Sequence, residues 1–248
     1  MSTDFSKEDF LTFWGESGYQ IKCDAKLPQS SLRMFGSVAY STFETIQNTH
    51  AMMQHVLDTT VPGCFVECGV AAGAQIAVMH ATCLVNHQRR PIYAFDSFEG
   101  IPIASEEDDQ QPGIGDIKEH VKYTDKRELL KSSGITVCPL NGVQSLMKQW
   151  FPTTHTDFKY VKGWFQDTVQ YFKEPIALLR LDGDLYESTR VCLESLYPLL
   201  QPGGILIIDD WELTGCRRAC EEYFVNCDLT RIEAPFTTPG PTYFVKNS

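Results

Sequence analysis

Two apolar runs, each ending in acids and separated by one helix-length segment, constrain this chain more than any other feature. Ile176-Ala177-Leu178-Leu179 leads into Arg180-Leu181-Asp182-Gly183-Asp184, and Ile205-Leu206-Ile207-Ile208 leads into Asp209-Asp210. Between them, Glu187 to Leu200 reads as one helix. A strand–helix–strand unit of this length makes two parallel neighbours, so both acidic ends emerge at the same sheet edge. Four carboxylates meeting there repel one another unless something positive neutralises them. A hard divalent cation with oxygen ligands, Mg²⁺ foremost, is the simplest candidate.

The same alternation begins near residue 63. Pro62-Gly63 punctuates, Cys64 to Cys68 reads as a buried strand, Ala74 to Val85 as a helix, and Ile92 to Asp96 as the next strand. Phe158 to Val161 is a third strand, Cys216 to Asn226 a helix, and Thr230 to Glu233 and Thr242 to Lys246 two closing strands joined by a Pro-rich turn. The expectation is an α/β fold, with a doubly wound, mostly parallel seven-stranded sheet. Residues 1–60 read as a helical extension or cap. Phe10, Phe13 and Trp14 would anchor a short helix there, and Ser41 or Thr42 would cap a longer one running to Leu57. Residues 61–248 form the main domain. From 99 to 141 the periodicity fails, and Glu106 to Gly113 is too polar for core. That stretch is either a surface loop or a lid over a substrate.

Charge and cysteine content narrow the function classes. A net charge of −11 without a basic stripe argues against nucleic acid. The partner most compatible with such charge is a second copy of the chain, as a homodimer or larger homo-oligomer. No apolar run is long enough to cross a bilayer and no export signal is evident, so a cytoplasmic protein with no membrane contact is expected. Nine cysteines without paired metal-type spacing then read as reduced thiols, most of them buried as small apolar groups. His50 and His55, five apart on one helix, do not share a face and read as structural or exposed.

Glu67-Cys68-Gly69-Val70-Ala71-Ala72-Gly73 ends the first strand and opens a helix, with small residues that let a ligand approach the main chain. The spacing is E-x-G-x-x-x-G. An acid where dinucleotide binders place their first glycine suits a cationic ligand better than a pyrophosphate. Asp96 ends the next strand, where an acid commonly binds the two hydroxyls of a ribose; it reads equally as a loop cap. Glu67 and Asp96 together favour a nucleoside with a cationic tail, and S-adenosylmethionine fits that description.

Several strings then follow one another in a recognisable order. They are Val66 to Val70, Ala94-Phe95-Asp96-Ser97-Phe98-Glu99-Gly100-Ile101-Pro102, Lys162-Gly163-Trp164-Phe165-Gln166-Asp167-Thr168, Leu179 to Thr189, and Ile207-Ile208-Asp209-Asp210-Trp211. The chain resembles the macrocin-type (TylF/MycF) O-methyltransferases over about residues 40 to 246. That resemblance implies a class I, Rossmann-like methyltransferase that uses S-adenosylmethionine and Mg²⁺ to alkylate a hydroxyl of a small molecule, a sugar or vicinal diol of a natural product. It implies that Glu67, Gly69 and Gly73 line the methionine part of the cofactor and that Asp96 and Ser97 hold the ribose. Phe165 and Gln166 would meet adenine. Asp182, Asp209 and Asp210 would ligate the metal, with Asp182 also facing the cofactor, and Asp184 would be the general base beside Asp182. Tyr186 and Trp211 either shape the acceptor pocket or pack at the strand ends. The residues 105–141 match the family poorly, so the acceptor does not transfer with the resemblance. Two alternatives stay open: a nucleotide-dependent oxidoreductase, which should show a second phosphate-facing glycine, and another Mg²⁺-dependent enzyme on the same fold, such as a phosphate-transferring one with a phosphate-cradling loop.

Overall fold

The computed structural model describes residues 19–21, 26–38, 40–108, 126–152, 158–227, 229–236 and 241–247. The helix expected around Phe10 to Trp14, the acidic segment beyond Asp108 and most of the closing Pro-rich turn lie outside them.

The two-residue strand β1 (Tyr19–Gln20) is followed by β2 (Cys64–Cys68), β3 (Ile92–Asp96), β4 (Phe158–Lys162), β5 (Ile176–Leu181), β6 (Leu200–Ile208), β7 (Leu229–Glu233) and β8 (Thr242–Lys246). They form one sheet in the order β1-β7-β8-β6-β5-β2-β3-β4. The strand pairs from β6 through β5, β2 and β3 to β4 are parallel. The sheet is mixed rather than parallel throughout, because β8 runs antiparallel to both β6 and β7. The connection from Glu233 to Thr242 is too short for the dozen or more residues a parallel crossover needs, so β7 and β8 pair antiparallel. Seven strands form the expected core, and β1 adds a short eighth at the edge, parallel to β7.

Helices cover both faces. On one side lie α1 (Gln29–Phe35), α2 (Phe43–Asp58), α3 (Ala74–Val85) and α4 (Leu140–Trp150), packed on Phe65, Ile92, Ala94, Ile205 and Ile207. On the other lie the short α5 (Phe165–Thr168), α6 (Tyr186–Leu196) and α7 (Thr214–Tyr223), over Val66, Cys68, Leu179, Leu206 and Ile208. Strands covered on both faces read as unbroken apolar runs, which is why β2, β5 and the end of β6 were visible in the sequence. The described part of 1–60 belongs to these layers: α2 packs against β5 and β6, and β1 extends the sheet.

Local chemistry sets the element ends. Thr42 caps α2, its Oγ1 accepting from Thr45 N at 3.2 Å. Helix α4 was not expected; its buried seam of Val143 and Met147 is narrow, and Pro139 and Gly142 mask the period. In the acidic stretch, Asp108 alone of the described residues departs from expectation. Asp108 is buried because its Oδ1 accepts from Tyr186 N at 2.7 Å, at the start of α6, while Oδ2 accepts from Ser105 N and Oγ. Cys64, Cys68, Cys216 and Cys220 are buried, and the described cysteines are free thiols. Among the described residues no helix is long and apolar enough to cross a membrane.

Candidate functional site

The carboxyl ends of five parallel strands are tied together one residue beyond the ladder. Gly69 N donates to Phe95 O (2.9 Å), Asp182 N to Cys68 O (2.8 Å), Asp209 N to Leu181 O (2.9 Å) and Gly163 N to Asp96 O (2.9 Å). These bonds hold the loops after β2, β4, β5 and β6, and the end of β3 between them, at one edge, the place where open α/β sheets bind ligands. A side chain at Gly69 is excluded: a Cβ there would sit 1.6 Å from Asp182 O, and the residue has φ of 90°.

A cavity of about 280 Å³ opens on this edge. Gly69, Ala71, Asp96, Ser97, Phe165, Gln166, Asp182, Asp184, Asp209 and Asp210 line it, so the structure brings most of the expected site residues together. Glu67 and Gly73 do not line it. Gly73 starts α3, with φ of 93°, and a Cβ there would meet Met147 Cε and Val143 Cγ1 at 3.0 Å, so its smallness serves helix packing. Sequence reasoning did not single out Tyr40 or Thr136 as part of the lining, nor assign the lining residues Gly100, Ile101, Pro102, Trp164, Gly183 and Ser188 a role. Tyr186 and Trp211 are absent from the lining; Tyr186 donates its hydroxyl to Glu222 Oε2 at 2.5 Å and Trp211 packs edge-on against Phe244. A second cavity of about 150 Å³ adjoins the first through Pro102, Gln166 and Ser188.

Asp96 braces the Gly-rich turn. Its Oδ2 accepts from Val70 N (2.7 Å) and Ala71 N (3.2 Å), and its Oδ1 from Phe98 N (2.6 Å). Ala71 has φ of 45°, and that carboxylate helps hold it there. Burial nevertheless pushes the Asp96 carboxyl above its ordinary range. Ser97 bridges the next turn, donating to Gly100 O at 2.9 Å and accepting from Glu99 N at 3.0 Å.

The acids do converge, and part of the neutralising charge comes from within the chain. Arg180, 1% exposed, donates through Nη1 to Glu67 Oε1 (3.0 Å) and Asp182 Oδ2 (2.6 Å), and through Nη2 to Asp209 Oδ1. Glu67 and Arg180 are register partners on β2 and β5, which brings them side by side. A sequence signal existed: a charged residue inside a strand otherwise built of aliphatic side chains must find a partner.

The remaining acids face one another. Single oxygens of Asp182, Asp184 and Asp210 lie within 4.8 Å of one another. Asp184 adopts φ of 58°, and its N–H donates to Asp210 Oδ2 at 2.8 Å, so the Asp182-Gly183-Asp184 turn is anchored across β5 and β6. Burial, and then the neighbouring Asp182 and Asp209, raise the Asp184 carboxyl to about 8. Burial raises Asp209 to about 7 against the opposing pull of Arg180, and burial with Asp182 and Asp184 raises Asp210 well above its usual range. Such a cluster holds protons that a cation would displace.

The family model for macrocin O-methyltransferase (TylF) matches residues 24–238. The chain belongs to that family. It is a methyltransferase that uses S-adenosylmethionine to alkylate oxygen. Among its relatives, the tetracenomycin-C rhamnosyl 4'-O-methyltransferase of Streptomyces olivaceus is 32% identical over 204 residues, covering 79% of this chain and 73% of that one. The mycinamicin III 3''-O-methyltransferase of Micromonospora griseorubida is 32% identical over 180 residues, covering 72% and 66%. The solved structure of the O-methyltransferase NovP superposes with a TM-score of 0.66 at 26% identity, covering 84% of this chain and 81% of that one. The fold expected for a class I methyltransferase is therefore the fold found.

Proposed function

We propose that the cavity at the sheet edge transfers a methyl group from S-adenosylmethionine to a sugar or vicinal-diol hydroxyl of a natural product, with Mg²⁺ beside the acceptor. The observation that carries the reading is the meeting of Asp182, Asp184 and Asp210 oxygens within 4.8 Å, on the same cavity as the Gly69 turn and Asp96. Acidic walls suit a sulfonium, which brings a positive charge to a site with a surplus of carboxylates. Asp96 would hold the ribose, and Phe165 and Gln166 the adenine. The sugar acceptor follows the name of the tetracenomycin relative, whose substrate carries a rhamnosyl group by that name.

Three carboxylate oxygens form a donor set of the hard kind that Mg²⁺ prefers. Asp182 and Asp210 were expected in that set; Asp184 joins them in this geometry, while Asp209 spends one oxygen on Arg180. Mg²⁺, when bound, supplies Lewis-acid polarisation of the acceptor hydroxyl. The chain's own residues do the rest. The walls align donor and acceptor, an effect that can supply roughly 7–11 kcal/mol. Asp184 takes the hydroxyl proton as the oxygen attacks the methyl carbon and the carbon–sulfur bond breaks. The products are the methyl ether, S-adenosylhomocysteine and protonated Asp184.

Incubation with S-adenosylmethionine, MgCl₂ and a panel of glycosides and diols, read by mass spectrometry, tests this directly. A gain of one methyl is expected, abolished by EDTA and lowered ~10²–10⁴-fold in Asp184→Asn with S-adenosylhomocysteine binding retained. Undiminished turnover in EDTA would reject the metal part, and methylation of none of the diols the acceptor part.

A further inference from the structure

Arg180 is hard to explain by stability alone. Its side chain is 1% exposed, in a strand whose other residues are aliphatic. Buried ion pairs can often be replaced by apolar packing without loss, so a cation at this position calls for another reason. Its partners supply one. The guanidinium meets carboxylates from three strand ends: Glu67 at 3.0 Å, Asp182 at 2.6 Å, and Asp209. Glu67 is as deeply buried as Arg180, but the side chains of Asp182 and Asp209 are 24% and 22% exposed and line the cavity. Arg180 therefore grips the two cavity acids from behind.

The grip is directional. A guanidinium is a rigid planar fork, and two of its arms take Asp182 Oδ2 and Asp209 Oδ1. Each aspartate has one oxygen bonded to the guanidinium, and both residues line the cavity. Glu67 holds the fork from the β2 side through Oε1, while its Oε2 and Arg180 Nε find no partner. Glu67 thus bears on the cavity acids through Arg180.

We propose that Arg180 is a positioning residue for methyl transfer, fixing the carboxylate of Asp182 towards Asp184 and Asp210, with Asp209 held beside it, and so preforming the cation site. The proposal rests on the methyl-transfer reading above and adds a requirement for the shape of the guanidinium, beyond its charge. Those two properties have opposite effects. A positive charge behind the acids repels a divalent ion, so its loss alone would tighten binding of that ion. Loss of the fork frees the two carboxylates to rotate and weakens binding.

Arg180→Lys separates them, because it retains a buried cation and removes the fork. Calorimetric titration with MgCl₂ alone, and separately with S-adenosylhomocysteine, is the measurement, alongside thermal unfolding. The expected result is MgCl₂ affinity reduced by at least tenfold, S-adenosylhomocysteine affinity within about threefold, and a folded protein by near-UV circular dichroism. Lowered melting temperature with unchanged MgCl₂ affinity would assign Arg180 a structural role and overturn the proposal. Should the Lys variant not fold, Arg180→Gln, which loses the charge and also the two-armed fork, decides: loss of the charge alone would tighten MgCl₂ binding, so binding as tight as or tighter than wild type overturns the proposal, and weaker binding supports it. Wild-type protein that fails to bind S-adenosylhomocysteine overturns the cofactor reading of the cavity and this proposal with it. Wild-type binding with an unaffected Lys variant overturns this proposal alone.

Discussion

His50 and Arg180 are both 1% exposed, one on α2 and the other on the β5 strand beneath that helix, yet they are buried in opposite ways. His50 closes a neutral chain. Its Nε2 accepts from Leu27 N at 3.3 Å, its Nδ1 lies 2.8 Å from Thr82 Oγ1, and that hydroxyl donates to Val78 O at 2.7 Å. One tautomer, with the proton on Nδ1, satisfies every link. Arg180 instead joins a charged cluster with buried polar atoms left open and two acids facing the cavity. A buried polar group whose partners are complete needs nothing further and holds the fold together. One whose cluster stays incomplete points to a ligand.

The comparison breaks most visibly in Arg180→Met. Removing one member of a buried charge cluster leaves the others uncompensated, and a loss of about 3–5 kcal/mol in denaturant unfolding is expected. MgCl₂ should restore part of that stability, because a cation binding the folded form replaces some of the missing charge. A loss under about 1 kcal/mol would mean that the acids shed their charge unaided, and the contrast with His50 would fail.

Much of the contrast was out of reach of the sequence. Strands β2 and β3 and helix α3 were read with the bounds observed, because apolar runs and Pro62-Gly63 punctuation carry local information. The convergence of Asp182, Asp184 and Asp210 was legible for the same reason, since a crossover helix of that length allows only one relative direction for β5 and β6. The pairing of Glu67 with Arg180 depends on parallel register between strands more than a hundred residues apart, which no local pattern records. Hence Mg²⁺ was asked to neutralise four acids, while Arg180 stood inside a string already singled out. Helix α4 escaped because Pro139 and Gly142 obscure a seam of only two buried residues.

The two regions should also answer pH with opposite sign. Burial, with a contribution from Lys26, lowers His50 from 6.5 to about 4, so the unfolded chain binds a proton there that the folded one does not. Its stabilising effect is complete above pH 6.5 and is lost as pH falls towards 4, roughly 3 kcal/mol in all. Asp184 and Asp209 are raised from 3.8 to about 8 and about 7, so here the folded chain holds the extra proton. Their stabilising effect is complete below pH 3.8 and is lost as pH rises through 7 to 8. Between pH 4 and 6.5 the two raised aspartates outweigh the single histidine, so chemical denaturation should show stability falling as pH rises, more gently below pH 6.5 than above it. His50→Leu should steepen the decline below pH 6.5 and leave it unchanged above. A slope below pH 6.5 that the substitution does not change would place the opposing group elsewhere.

The smallest expected effect is the sharpest test of what completeness means. Thr82→Val keeps the shape of the side chain and removes the hydroxyl that links His50 to Val78 O. The His50 Nδ1–H is then buried without an acceptor, which costs about 1–3 kcal/mol, while Val78 O retains its place in the α3 ladder. Nothing in that chain touches the cavity, so S-adenosylhomocysteine and MgCl₂ should bind as tightly as to wild type. The predicted signature is thus a melting temperature that falls while both titrations stay fixed, the reverse of the pattern expected for Arg180→Lys. A Thr82→Val protein that bound MgCl₂ less tightly would show the two buried clusters to be coupled through α2 and β5, and the division between a closed structural group and an open functional one would not hold.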